Sequence, residues 1–239
     1  MTLRQKQVLN CIIQEYRQEA APVSSFLISA KYIFNVSPAT IRNEMGFLER
    51  DGYLQNLHTS SGRIPTDKGF RFFVNSLMQE KQFTSYEKKK LKNYFLQAKK
   101  KNKRAVKALS NFLSAISGNL AIASMEDEIA ETGFALLLKE PEFSERENVL
   151  KIAEFLDSIL DSINDWLKNF FIARDIKKTE DVQIYIGQEM PTINDLEISI
   201  LISKIFSIKE EGIIILIGPK RMQYEKNISL LEYTRELLI

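Results

Sequence analysis

The feature that most constrains this chain is the run SPATIRNEMGFLERDGYL, beginning at Ser37. Ser37 stands where a helix N-cap is wanted, Pro38 suits the first helical position, and Gly52 suits the left-handed residue just past a helix end. Both ends of one helix are therefore set by local chemistry. Within it Ile41, Met45 and Leu48 recur at i, i+4 and i+7, so one face is apolar. Ala39, Arg42, Asn43 and Gly46 fall on the opposite side, giving a face that is small, polar and basic.

The flanking segments give this helix a context. RQKQVLNCIIQEYRQE places Val8, Leu9, Cys11, Ile12, Ile13 and Tyr16 at helical spacing and predicts an amphipathic first helix ended by Ala20-Ala21-Pro22. Ser24 or Ser25 can cap a second, short helix, FLISAKY, with Phe26, Leu27 and Ala30 inward and Ser29 and Lys31 outward. Ile33 to Val36 is the turn into the third helix. Beyond Gly52, Tyr53–Leu57 and Arg63–Thr66 read as short strands around the loop His58 to Gly62, which is a wing. Thr66 or Asp67 then caps KGFRFFVNSLM, whose aromatics lock the module. The pattern predicts a winged helix-turn-helix over residues 1–81.

Such a module can lay its third helix in a DNA major groove ~12 Å wide, N-terminal residues against base edges. On this reading Arg42 can pair with guanine and Asn43 with adenine, Ala39 lies against the bases, and Ser24, Ser37 and Thr40 face phosphate. His58, Ser60, Ser61 and Arg63 of the wing are candidates for backbone or minor-groove contact. The alternative for any winged helix is a protein-interaction adaptor. His58 is the chain's one histidine and Cys11 its one cysteine. No metal site is expected from so few ligands, and no intramolecular disulfide can form.

The segments PVSSFLISAKY, SPATIRNEMGFLERDGYLQNLHTSSGRIPTDKGFRFFV and, far downstream, IGPKRMQYEKNISLLEY resemble the HrcA family of heat-inducible repressors. KEPEFSERENVLKIAEFLDSIL resembles the helical stretch that precedes that family's last strands. The resemblance implies a DNA-binding head and a sensor-like, GAF-related rear domain. It also implies a homodimer that binds an inverted-repeat operator before chaperone genes and represses them, supported by a GroEL-type chaperonin. Family members usually also carry early GAF-like strands and an inserted dimerisation domain. Here that material is expected to be missing, with the junction between Ala123 and Thr132.

Residues 86–116 contain neither proline nor glycine and place Leu91, Phe95, Ala98, Asn102, Ala105, Leu109, Phe112 and Ile116 at alternating spacings of four and three. As one continuous helix this is a heptad seam. A lone asparagine in such a seam sets register, so Leu91, Phe95, Ala98, Asn102, Ala105 and Leu109 are candidate dimerisation residues. A helix packed on its own domain shows a similar stripe, and both readings stand at this level. Charge sharpens the picture. Residues 1–81 hold ten basic and seven acidic side chains, 82–108 hold ten and one, and the rest thirteen and twenty-three. A basic front and acidic rear suit contact with a polyanion at one end, with binding that depends steeply on salt.

From Ser144 onward a wide apolar stripe from Val149 to Phe171 predicts a long helix or helix pair. VQIYIG, SILISKIF and GIIILIG predict three strands, and YEKNISLLEYTRELL a final helix. The fold class expected is α+β: winged helix-turn-helix over 1–81, basic linking helix over 82–118, and a truncated GAF-like antiparallel sheet with helices over 119–239. Gly218-Pro219-Lys220-Arg221 lacks the glycine spacing of a phosphate loop and reads as a strand-to-helix turn. The acids Glu126, Asp127, Glu128 and Glu131 have no nucleophile or base beside them, so no enzyme and no cofactor are expected. No stretch approaches the ~20 apolar residues of a membrane span, and the N-terminus lacks a secretory signal's apolar run, so a cytoplasmic, nucleoid-associated protein is expected. A ligand-responsive regulator of other genes is the further alternative.

Overall fold

The computed structural model describes the chain except for residues 35, 57–61, 103, 126–127, 162–181, 191–195, 207–210 and 239. Two compact units divide it. The first comprises Met1–Gln79 with Lys220–Tyr224, the second Glu80–Pro219 with Glu225–Ile239.

The first unit is built from α1 (Leu3–Glu19), α2 (Ser25–Lys31), α3 (Pro38–Arg50), β1 (Leu54–Gln55), β2 (Ile64–Pro65) and α4 (Asp67–Phe72), which runs into a π-helical turn at Phe73–Leu77. Val8, Leu9, Ile12 and Ile13 of α1, Ile28 of α2, Ile41 and Leu48 of α3, and Phe70 and Phe73 are all buried. Each such side chain contributes roughly 1.5–3 kcal/mol on leaving water. The segment Lys220–Tyr224 completes this core: Tyr224 is fully buried with its ring centroid 6.5 Å from that of Phe70. Lys220 Nζ lies 2.6 Å from Asp67 Oδ1.

One expectation here is corrected. In α2 it is Ile28 that is buried, whereas Phe26 is 72% exposed and Leu27 and Ala30 also face outward. The helix is only seven residues long, and its phase is set at both ends. Ser24 caps it by accepting from the Leu27 N–H at 3.1 Å, and at the other end Lys31 and Tyr32 are drawn back to the buried Glu15. A short helix held by polar clamps need not follow its own apolar stripe.

The second unit contains α5 (Ser85–Lys101), α6 (Ala105–Ser117), β3 (Leu120–Met125), β4 (Glu128–Thr132), α7 (Phe134–Leu137), a 3-10 turn at Pro141–Phe143 and α8 (Arg146–Asp161). It continues with β5 (Gln183–Ile186), β6 (Ile198–Phe206) and β7 (Glu211–Pro219), and closes with the helix α9 (Tyr224–Leu238), all but the first residue of which lies in this unit. The strands form one antiparallel sheet in the order β4-β3-β7-β6-β5. Its register brings Ile122 opposite Ile215, and Ile215 opposite Ile202. One face buries Leu120, Ile122, Ile200, Ile202, Ile215 and Ile217 against Ile152, Phe155, Leu156 and Ile159 of α8. Helix α6 packs against β3 and β4.

The α+β class holds, but two parts of its expected layout do not. Among the described residues the sheet has five strands, not three, and Ala123 and Thr132, expected to flank a junction where strands are missing, lie on the paired strands β3 and β4. Strand β3 is buried along almost its whole length, so it lacks the alternation by which a strand is recognised. Strand β4 is an edge strand, and its Glu128 and Glu131 are what edges carry. The continuous heptad helix is also corrected. The chain leaves the helix at Asn102, which caps α5 with an extended backbone, its side-chain Nδ2 donating to the Ala98 carbonyl at 2.8 Å. The helices α5 and α6 then pack on each other, with the Phe95 and Phe112 rings 5.3 Å apart edge to face. Leu91, Phe95, Ala98 and Leu109 are buried inside this unit, Asn102 is half-buried and Ala105 is exposed.

Candidate nucleic-acid interface

Helix α3 forms as its sequence dictates. The Ser37 hydroxyl accepts from the Thr40 N–H at 3.2 Å, Pro38 occupies the first turn, and Gly52 adopts φ +76 just beyond the helix end. Tyr53 N–H then donates to the Leu48 carbonyl at 2.8 Å, closing the last turn. Ile41, Met45 and Leu48 are buried, while Ala39, Arg42 and Asn43 are exposed. Nothing lies within 4 Å of where a Cβ on Gly46 would stand, so that face is open. Among the described residues neither the Arg42 guanidinium nor the Asn43 amide is engaged.

A further cation on this surface was not singled out in the sequence. Arg50 lies over the ring of Phe47, 4.8 Å from its centroid, and both are exposed. Phe47 and Arg50 stand three residues apart, the spacing at which helix side chains meet, so the signal was present.

The ribbon β1–β2 is fastened to the helices by Arg63. Its backbone bridges Val23 in both directions, at 2.9 and 2.8 Å, and its Nε donates to Glu49 Oε2 at 2.7 Å. Glu49 holds this candidate DNA-contact residue on α3, and the pair is partly shielded from water. Gly62 permits this: a Cβ there would stand 2.3 Å from the Val23 carbonyl oxygen. His58, Ser60 and Ser61 lie outside the described residues.

Ser24 and Ser37 are exposed caps whose hydroxyl oxygens are already acceptors, and Thr40 Oγ1 stands 3.1 Å from Ser37 Oγ. The same unit holds a buried charge. Glu15, 3% exposed, accepts from Lys31 Nζ and from Tyr32 Oη at 2.6 Å. Burial alone would raise its carboxyl, but the hydrogen bonds from Lys31 and Tyr32 outweigh it and hold the group below its ordinary value. Tyr32 is raised correspondingly by burial and by Glu15. Burial, with Glu15 adding to it, pushes the Cys11 thiol up to about 11, which marks it as a packed, unreactive side chain. Among the described residues no group of acids, histidines and cysteines is gathered to hold a metal ion, and no helix is long and apolar enough to cross a membrane.

Residues 61–228 match the family model described as the HrcA protein C-terminal domain, which is well over half of the chain. The chain belongs to the HrcA family. Proteins named heat-inducible transcription repressor HrcA match it in part. The one from Roseiflexus sp. strain RS-1 is 37% identical over 124 residues, covering 52% of this chain and 34% of that protein. Those from Chlorobium limicola and Desulforamulus reducens are 46% identical over 91 residues and 51% over 87, covering 38% and 36% of this chain and 26% and 25% of theirs. The chain thus matches about a third or less of the length of these HrcA relatives. A crystal structure of a hypothetical protein at 2.2 Å resolution superposes with a TM-score of 0.72 at 19% identity, covering 100% of this chain and 96% of that one, which shows a shared fold.

Proposed function

We propose that this HrcA-family chain is a sequence-specific DNA-binding repressor of heat-shock genes, and that its role is non-catalytic. The observation that carries the reading is α3: a helix capped at both ends, buried through Ile41, Met45 and Leu48, and presenting Ala39, Arg42 and Asn43 with no side-chain partner among the described residues. Set beside α2 and the β1–β2 ribbon, this is the element order of a winged helix-turn-helix, whose third helix reads the major groove. Arg42 and Asn43 are the base-reading residues, bidentate to guanine and adenine respectively. The Ser24 hydroxyl and whichever of the paired Ser37 and Thr40 hydroxyls does not donate to the other keep a proton for phosphate oxygens. Support also comes from the names of the relatives, which are heat-inducible transcription repressors.

The operator is an inverted repeat bound by two copies of the chain, the wing residues His58, Ser60 and Ser61 contact the backbone, and a GroEL-type chaperonin supports the active form. Selection of bound duplexes from a random library, followed by gel-shift titration and mass measurement of the complex, tests this. The expected result is an enriched inverted repeat carrying two chains per duplex. Failure to retain any sequence above random DNA at low salt overturns it.

A further inference from the structure

Gly46 sits in the interior of α3, where glycine is the poorest helix former after proline. Elsewhere in this unit glycine has a reason internal to the chain. Gly52 takes φ +76 just beyond α3, and at Gly62 and Gly69 a Cβ would stand 2.3 Å from a backbone carbonyl oxygen. Gly46 has neither reason: its φ is not positive, and nothing lies within 4 Å of where its Cβ would stand. An alanine here would fit the folded chain and strengthen the helix. The helix thus gives up stability at a point where the protein itself asks for no bare backbone, so the demand comes from outside the chain.

The surroundings of Gly46 identify what comes against it. Arg42 and Asn43 stand one helical turn before it and Arg50 one turn after it, all three exposed. The acids of α3 do not offset this charge, because Glu44 is paired with Arg4 at 3.6 Å and Glu49 with Arg63 at 2.7 Å. The face around Gly46 is therefore basic and suits a polyanion. Long side chains on a helix lean toward its N-terminus, which would lay Arg50 across Gly46. Its guanidinium is instead drawn over the Phe47 ring, 4.8 Å from the centroid, and Gly46 stays uncovered. A helix with its side chains is about 10–12 Å across and the major groove about 12 Å wide, so a missing methyl at the point facing the groove floor sets how deep the axis can sink.

We infer that Gly46 is a specificity-determining residue: α3 sinks into the major groove until its backbone at Gly46 meets the edge of a base pair. That contact falls about 6 Å along the helix from Arg42, roughly two base pairs from the one Arg42 reads. The inference rests on the repressor reading. Thermal unfolding of the full chain and gel-shift titration on the operator selected by the wild type, with random DNA as comparator, test it. Gly46→Ala should raise the thermal midpoint by about 2–4 °C and yet weaken operator binding about tenfold, the loss that an unaccommodated methyl entails. Binding to random DNA, which is set by phosphates, should be unchanged. Gly46→Leu, with a longer side chain in an equally good helix former, should bind operator no better than random DNA. Reselection with Gly46→Ala should alter the preferred base pair beside Gly46 and keep the one read by Arg42. Operator binding that survives Gly46→Ala, or a midpoint that falls, overturns the inference while leaving the repressor reading intact. A wild-type chain that retains no sequence above random DNA overturns both.

Discussion

Arg63 donates its Nε to the Glu49 carboxylate at 2.7 Å, and so ties the residue that precedes β2 to the last turn of α3. The two side chains are 18% and 34% exposed, which places the pair between a surface and a buried ion pair. Discounted for solvent, it is worth about 1 kcal/mol. Glu49→Gln and Arg63→Gln should each lower the unfolding free energy by about that much, with a double-mutant cycle in urea returning a coupling of the same sign. Additive losses show that the pair contributes nothing.

On α3, Arg42→Ala and Asn43→Ala should each weaken binding to the selected operator by about 1–3 kcal/mol and relax preference at one base pair. Both residues are exposed, so the thermal midpoint should stay put. By contrast, Lys89→Gln with Lys90→Gln, on the exposed side of α5, should weaken operator and random DNA alike and flatten the salt dependence. Equal loss on every sequence from the α3 variants removes them from base readout.

Glu15 gives a pH dependence whose sign follows from its lowered carboxyl. A group held lower in the folded chain than in the unfolded one contributes stability that is present above its ordinary value of 4.5 and is lost as pH falls through the folded value. Urea unfolding of the wild type should therefore weaken below about pH 4.5, and Glu15→Gln should flatten that acid limb. Lys31→Met, which leaves the buried carboxylate to Tyr32 alone, should cost about 1–2 kcal/mol at neutral pH, less than for a fully buried pair because Lys31 is half exposed. An unchanged acid limb in Glu15→Gln assigns the acid sensitivity elsewhere.

The fate of the heptad seam is also measurable. Because Phe95 and Phe112 pack on each other within one unit, Phe95→Ala should cost about 3–5 kcal/mol by opening a cavity. Its unfolding midpoint should not depend on protein concentration. A midpoint that rises with concentration in the wild type and ceases to do so in Phe95→Ala places that residue between chains instead.

The contrast between α3 and the stretch from Leu91 to Ile116 shows what kind of information lay in the chain. The bounds and the buried face of α3 were legible because a serine cap, an N1 proline and a C-terminal glycine act within one or two turns, on the backbone beside them. The same local chemistry made the strand-to-helix turn at Gly218–Arg221 readable. Asn102 has two uses of comparable local merit, a register-setting seam residue or a cap for the preceding carbonyl. Only the presence of Phe112 and Thr132 on neighbouring elements selects the cap, through Asn111. In the same way β3 shows no alternation because both its faces are covered, α2 obeys the clamp from Glu15 over its own apolar stripe, and Arg63 turns inward because Glu49 is near. The sequence by itself determined where α3 begins, ends and faces, since those choices are settled by groups a few residues apart. Tertiary structure alone decided which polar side chains stay available and which are spent on one another, because that depends on partners far along the chain and on how much water reaches them.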